Sequence, residues 1–262
     1  MGMISAMDES VSTIVDGLKQ RGMWENTVFI FFSDNGGKMA NSQYNYPLRG
    51  GKQTLWEGGI RTTAFLHSPL LPQTSGVVNH EMIHVTDWLP TITRIATCGL
   101  ENPRRACPLD LGDINGVDQL ATITLPDTPS KRTEILVNID PQWHQKAIIA
   151  GKWKLIVGPN PHGDWIPPPE MNEAEEVEVE VKVEEDEDYD SARAGWWRLF
   201  DIQSDPYERE DVSRERLAIA KKLFNRLNEY EAVMVEPGNK SYDPDSNPKY
   251  FNGTWTPWLD SC

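Results

Sequence analysis

Ile4, Met7, Val11, Ile14 and Leu18 follow a three- and four-residue spacing that lays one apolar stripe along a helix, and Gly22 is a suitable left-handed cap for its end. With no strand or loop before it, this opening reads as a chain that starts inside a fold. Thr27 to Phe32 then form an uninterrupted run of β-branched and aromatic residues. An apolar run without alternation predicts a strand covered on both faces, as in an α/β domain with a largely parallel sheet. In such sheets ligands sit beyond the carboxyl ends of the strands, where this chain carries Ser33-Asp34-Asn35-Gly36-Gly37. Asp87 to Ala96 predicts a second amphipathic helix, with Trp88, Leu89, Ile92 and Ile95 on one side, Pro90 in its first turn and Gly99 closing it. Residues 100–129 are loop-rich, and Glu134 to Ile139 and Ala147 to Val157 read as strands. Arg214 to Val233 predicts a last helix with Leu217, Ala220, Leu223, Phe224 and Leu227 inward. The shift of composition near Pro129 divides the chain into 1–129 and 130–262.

The 262 residues carry 25 basic and 40 acidic side chains, net −15, which excludes binding to nucleic acid or anionic membrane through diffuse positive charge. Twelve carboxylates and one lysine lie between Glu170 and Asp190, so the other residues together carry only −15 + 11 = −4. Within that acidic insertion Val177, Val179, Val181 and Val183 alternate with polar residues, and two readings stand: a solvated insertion or an exposed edge hairpin. No apolar run approaches the roughly eighteen residues of a spanning helix, and the start lacks the basic and apolar blocks of a secretory leader. Of three cysteines, Cys98 and Cys107 could close a short loop, which leaves Cys262 without a partner in the chain. The glycosylation sequons at Asn239 and Asn252 tilt the reading toward the secretory route.

Asp34 and Asn35 offer a carboxylate and an amide oxygen, the donors preferred by hard cations, and the same four residues Asp-Asn-Gly-Gly also suit a plain turn. The following stretch favours the site. Residues 34–61 hold three Gly-Gly pairs with Lys38, Arg49, Lys52 and Arg61. Glycine pairs admit close backbone approach, and a cation site flanked by lysine and arginine suits a sulfate or phosphate.

Asn26-Thr-Val-Phe-Ile-Phe-Phe-Ser-Asp-Asn-Gly-Gly, the run Pro47 to Arg61, His84-Val-Thr-Asp-Trp-Leu-Pro-Thr, Asn138-Ile-Asp-Pro and Trp196 to Asp211 together resemble the sulfatases, and among them the arylsulfatase B group. The resemblance implies an alkaline-phosphatase-like α/β fold, here the later part of the catalytic sheet in 1–129, followed by a smaller α+β domain with an antiparallel sheet. It implies hydrolysis of a sulfuric ester, of a sulfated glycosaminoglycan sugar or an aryl sulfate, in a lysosome or outside the cell. Carried over residue by residue, it makes Asp34 and Asn35 calcium ligands and Lys52 a contact to the sulfate. Arg49, Trp56 and Arg61 take supporting roles, His84 a helix-start role and His144 a place near the pocket, while His67, His80 and His162 show no ligand spacing. The family's nucleophile is a formylglycine made from a cysteine or serine in a Cys-x-Pro-Ser-Arg type motif, and none of the three cysteines stands in one. The chain therefore reads as the carboxyl-terminal half of an arylsulfatase, inactive alone, whose partner is the missing amino-terminal half. The alternatives are another phosphohydrolase of the same superfamily and a non-catalytic protein that binds sulfated glycans.

Overall fold

A computed structural model of the chain describes residues 2–38, 43–125, 127–160, 163–172, 196–238 and 243–259. Most of the acidic stretch 170–190, with His162, Asn239 and Cys262, lies outside these. In chain order the elements are α1 (Gly2–Gln20), β1 (Phe29–Phe32), α2 (Glu57–Ile60), β2 (Ala64–His67), α3 (Trp88–Cys98) and α4 (Leu120–Thr124). There follow β3 (Glu134–Asp140), β4 (Gln145–Ala150), β5 (Trp153–Val157), α5 (Pro169–Asn172), β6 (Trp197–Asp201) and α6 (Leu217–Glu231).

The helical period at the start of the chain produces α1, and Gly22 adopts φ 67° after it. The helix buries no residue, and Met3, Ile4, Met7 and Ile14 face outward. The parallel pairing expected at Thr27 to Phe32 is not what β1 makes. Its neighbour is β2, antiparallel, with Phe29 opposite His67 and Phe32 opposite Ala64. An apolar run reports what a strand's faces require and says nothing of the direction of its neighbour. Nor are both faces covered, since Phe32 and Phe65 stay exposed. Phe65 stacks on Phe31, and Phe32 stacks on Trp88 at 5.8 Å.

Helix α3 also turns its apolar stripe outward. Leu89 and Ile92 are exposed, and the buried residues are Pro90, Thr91 and Arg94. The reason is the arginine: Nη2 donates to the carbonyls of Asn102 and Arg105 at 3.0 and 2.7 Å, and Nε lies 3.5 Å from Asp118. Loop 99–107 folds over Arg94 to supply those oxygens, and a disulfide joins Cys98 to Cys107 across it. His84 and Asp87 form a capping box before the helix. The Asp87 carboxylate, 1% exposed, accepts from the N–H groups of His84 and Val117, from Gln119 and from Arg132. Burial pushes this carboxyl up, and those donors together outweigh it and hold Asp87 below the usual range.

Strands β3 to β6 form one antiparallel sheet in sequence order. The run Ala147 to Val157, expected as a single strand, is a hairpin: Ala150 pairs with Trp153, and Gly151 takes φ 55° at the first turn position, as Gly-x hairpins of this length require. Alternation gives the sheet two working faces. Ile148, Leu155 and Leu199 pack against Ala220, Leu223 and Leu227 of α6, while Ala147, Ile156 and Phe200 pack against Leu55 and Trp56. Leu217, expected inward, is exposed at the first residue of α6. The second face of the sheet is thus the seat for the loop that precedes α2.

Candidate functional site

Beyond β1 the chain turns at Asp34, whose Oδ1 accepts from the N–H of Asn35 at 2.8 Å. Asp34 is exposed and Asn35 half-buried, with Asn35 Nδ2 donating to the Gly36 carbonyl and Oδ1 left as an acceptor. Gly36 passes so close to α2 that a Cβ there would lie 1.7 Å from the Gly58 oxygen. Only glycine permits that approach. Gly36 N–H also donates to Gly59 O at 3.0 Å, which fastens the turn to the glycine pair of the next segment.

Asn45 joins this turn to the loop that carries Lys52. Its Oδ1 accepts from Gly37 N–H at 2.7 Å, and its Nδ2 donates to the carbonyls of Gly37 and Gly50 at 2.9 and 3.0 Å. Lys52 N–H donates directly to Gly37 O at 3.0 Å, and its side chain is exposed. Asp34, Asn35 and Lys52 therefore sit on two loops sewn together. Asn45 went unremarked in the sequence because nothing local sets one asparagine of Asn-Tyr-Pro apart; its partners lie on both sides of it in the chain.

Under the Lys52 loop lies a buried ionic network. Lys154 Nζ, on β5 and wholly buried, is 2.9 Å from Glu57 Oε1 and 2.7 Å from Glu208 Oε1, the latter off the line of a hydrogen bond. Glu208 Oε2 accepts from Glu57 N–H at 2.7 Å, and Arg61 Nε meets Glu57 at 2.7 Å. Burial raises the Glu208 carboxyl above the usual carboxylate range despite Lys154. Arg49 is held between the rings of Trp56 and Trp165, at 3.6 and 4.3 Å from their centroids, and donates to the carbonyls of Gly163 and Glu208. Desolvation lowers its guanidinium to about 10, with Glu208 acting the other way. Arg49, Trp56 and Arg61 thus support the loop through packing and pairing.

Residues 1–98 match the family model of the sulfatases. Mouse arylsulfatase J is 35% identical over 98% of the chain, which spans 43% of that protein. The crystal structure of Ps i-CgsB superposes with a TM-score of 0.62 at 23% identity, over 87% of this chain and 42% of the other. The PsFucS1 sulfatase from Pseudoalteromonas sp. gives 0.57 at 19% identity, over 89% and 42%. The chain belongs to the sulfatase family. It spans under half the length of these relatives, and its fold is the α/β alkaline-phosphatase-like fold of the solved sulfatases.

Within the sulfatase chain, the donor set at the strand end suits calcium in kind and falls short in number. Calcium takes about six to eight oxygens, and Asp34 and Asn35 offer two side chains, each with one oxygen not engaged by a described donor. Among the described residues no three His, Cys, Asp or Glu side chains converge as a metal cluster. His84 caps the turn before α3, with Nδ1 2.9 Å from Thr86 Oγ1. His144 stands at φ 50° in the exposed turn between β3 and β4, and Asn252 lies in an exposed turn near the end of the described chain. No helix among the described residues is long and apolar enough to cross a membrane.

Proposed function

We propose that this chain supplies the calcium-binding and sulfate-contacting portion of a sulfuric ester hydrolase. The observation that carries the reading is the Asn45 clamp, which holds two hard oxygen donors and an exposed ammonium on adjoining loops. Asp34 and Asn35 would each give an oxygen to calcium, which when bound withdraws electron density from sulfate oxygens. Lys52 offsets charge on the transferred group, and the glycine-built backbone beneath keeps both loops in place. The nucleophile, a formylglycine, belongs to an amino-terminal portion of the fold, and the exposed apolar faces of α1, β1 and β2 are where that portion packs. The substrate class is a sulfated saccharide, of glycosaminoglycan type, met in a lysosome or outside the cell. Support for a saccharide comes from Ps i-CgsB, whose fold this chain shares and which was crystallised with k-i-k-neocarrahexaose. The division into 1–129 and 130–262 is kept as part of the proposal.

Two measurements test it. In calorimetric titration with calcium, Asp34→Ala should lose most of whatever affinity the chain shows; an unchanged isotherm would sink the assignment. Assayed with a chromogenic aryl sulfate and calcium, the chain alone should stay at background. Turnover above a Lys52→Ala control would mean that a nucleophile lies among residues read here as structural.

A further inference from the structure

We infer that Trp143, on the turn between β3 and β4, is a stacking platform for a sugar ring of the saccharide that flanks the sulfated one, an outer subsite of the site proposed above and dependent on that reading. The argument is one of placement. Two described stretches beyond the end of β5, 158–160 and 163–165, tie down both ends of the Lys52 loop: Gly50 N–H donates to Asp164 O at 3.0 Å, and Leu55 N–H donates to Asn160 Oδ1 at 3.1 Å. At the start of the first stretch, Gly158 lies so near the neighbouring turn that a Cβ on it would meet the His144 oxygen at 2.0 Å. Residues 158–160 therefore link the Lys52 loop, seated on one face of the four-stranded sheet, to the Trp143-His144 turn at the end of that sheet where β5 finishes and β4 begins.

The turn is built to be rigid. Asp140 Oδ1 accepts from the N–H groups of both Gln142 and Trp143, at 3.0 and 3.1 Å, and His144 is held in the left-handed region at φ 50°, which disfavours a residue with a Cβ. On this stiff, strained tip Trp143 is 64% exposed as a residue, and among the described residues its ring makes no stacking or cation contact. A large, rigid, amphipathic ring presented to solvent on a braced turn is a binding anchor in its chemistry, since its face packs on apolar C–H surface and few rotamers are lost on contact. A sugar ring presents such a surface.

The test uses the chain with its tryptophans replaced by 5-fluorotryptophan, the resonance of residue 143 identified by its loss in Trp143→Phe. A sulfated monosaccharide and a sulfated tetrasaccharide of the same sugar are titrated in. The tetrasaccharide should shift that resonance and bind about tenfold more tightly than the monosaccharide, the scale of one aromatic anchor. Trp143→Ala, with unchanged thermal midpoint, should bind the two saccharides equally, at the wild-type monosaccharide level. Wild-type affinity of Trp143→Ala for the tetrasaccharide overturns the subsite while leaving the Lys52 reading intact. Monosaccharide binding that Lys52→Ala does not weaken overturns the functional reading itself, and absence of binding by either saccharide overturns both.

Discussion

Replacing Lys154 by Met should unbalance the chain in a way that pH can diagnose. The ammonium is wholly buried between two carboxylates, at 2.9 Å from Glu57 and 2.7 Å from Glu208, themselves 2% and 0% exposed. Each contact is worth about 6 kcal/mol of gross attraction at an effective dielectric near 20, against several kcal/mol of desolvation for each of the three buried groups. The two nearly cancel, so the intact pair adds little. What decides the variant is the orphaned charge: Glu57 keeps Arg61 at 2.7 Å, whereas Glu208 keeps the Glu57 N–H and loses the cation in contact with it. Breaking such a pair costs about 3–5 kcal/mol near neutral pH. The carboxyl of Glu208, already raised by burial, rises further when its neighbour cation goes. A carboxyl raised in the folded state holds a proton that the unfolded chain has released, so stability falls as pH climbs from its ordinary value through the folded one, by up to about 1.4 kcal/mol per pH unit. Urea unfolding of the wild type and the variant at about pH 5 and about pH 7.5 reads this directly. The deficit should be smaller in acid, and Lys154→Met with Glu208→Gln should recover most of it at neutral pH. A deficit equal at both pH values, and untouched by the second substitution, would refute the reasoning.

The other expectations are simpler. Asn45→Ala removes three hydrogen bonds between the Asp34 turn and the Lys52 loop and should cost about 1–3 kcal/mol in a denaturant melt. Gly36→Ala, with backbone at 1.7 Å from the new methyl, should displace the Asp34 turn, seen as altered amide shifts of Asn35 and Gly59 in NMR spectra. Asp87→Asn should lower stability by about 3–5 kcal/mol through the unmatched Arg132. In the wild type the stability due to Asp87, present above its ordinary pKa, should be lost as acid carries the pH down through its depressed folded value, while Asp87→Asn shows no such loss over that range in acid titrations of folding.

Period and turn chemistry made α1, β3 and α6 legible, and in α6 a 3.6-residue stripe such as Ala220, Leu223 and Leu227 reports a local geometry and its burial together, whereas β6 carried no period that set it apart. The same reasoning failed at α3. There hydropathy ranks Leu89 and Ile92 above Arg94, but carbonyls from a loop eight and eleven residues onward make burying the guanidinium the better arrangement. Hydropathy alone makes one strand of residues 147–157, whereas the positive φ of Gly151 turns that run into two. At the site, Asp34, Asn35 and Lys52 could be named from donor type and from resemblance. Asn45, Glu57, Lys154 and Glu208 could not, since Lys154 alternates correctly within a strand yet meets its counter-charge 97 residues away.

The place of Lys154 on the sheet bears on what can be separated from what. Glu57 belongs to the stretch before residue 129, while Lys154 and Glu208 belong to the stretch after it, and the divide between Asp87 and Arg132 falls the same way. Each portion of the chain thus keeps the other's counter-ions. A protease cut near residue 129 would not free two self-sufficient bodies, because parting them would take Lys154 from Glu57 and would separate the buried Asp87 carboxylate from the Arg132 guanidinium. Excision of the sheet with α6 as a stand-alone module should therefore yield a weaker fold than the same segment has within the whole chain.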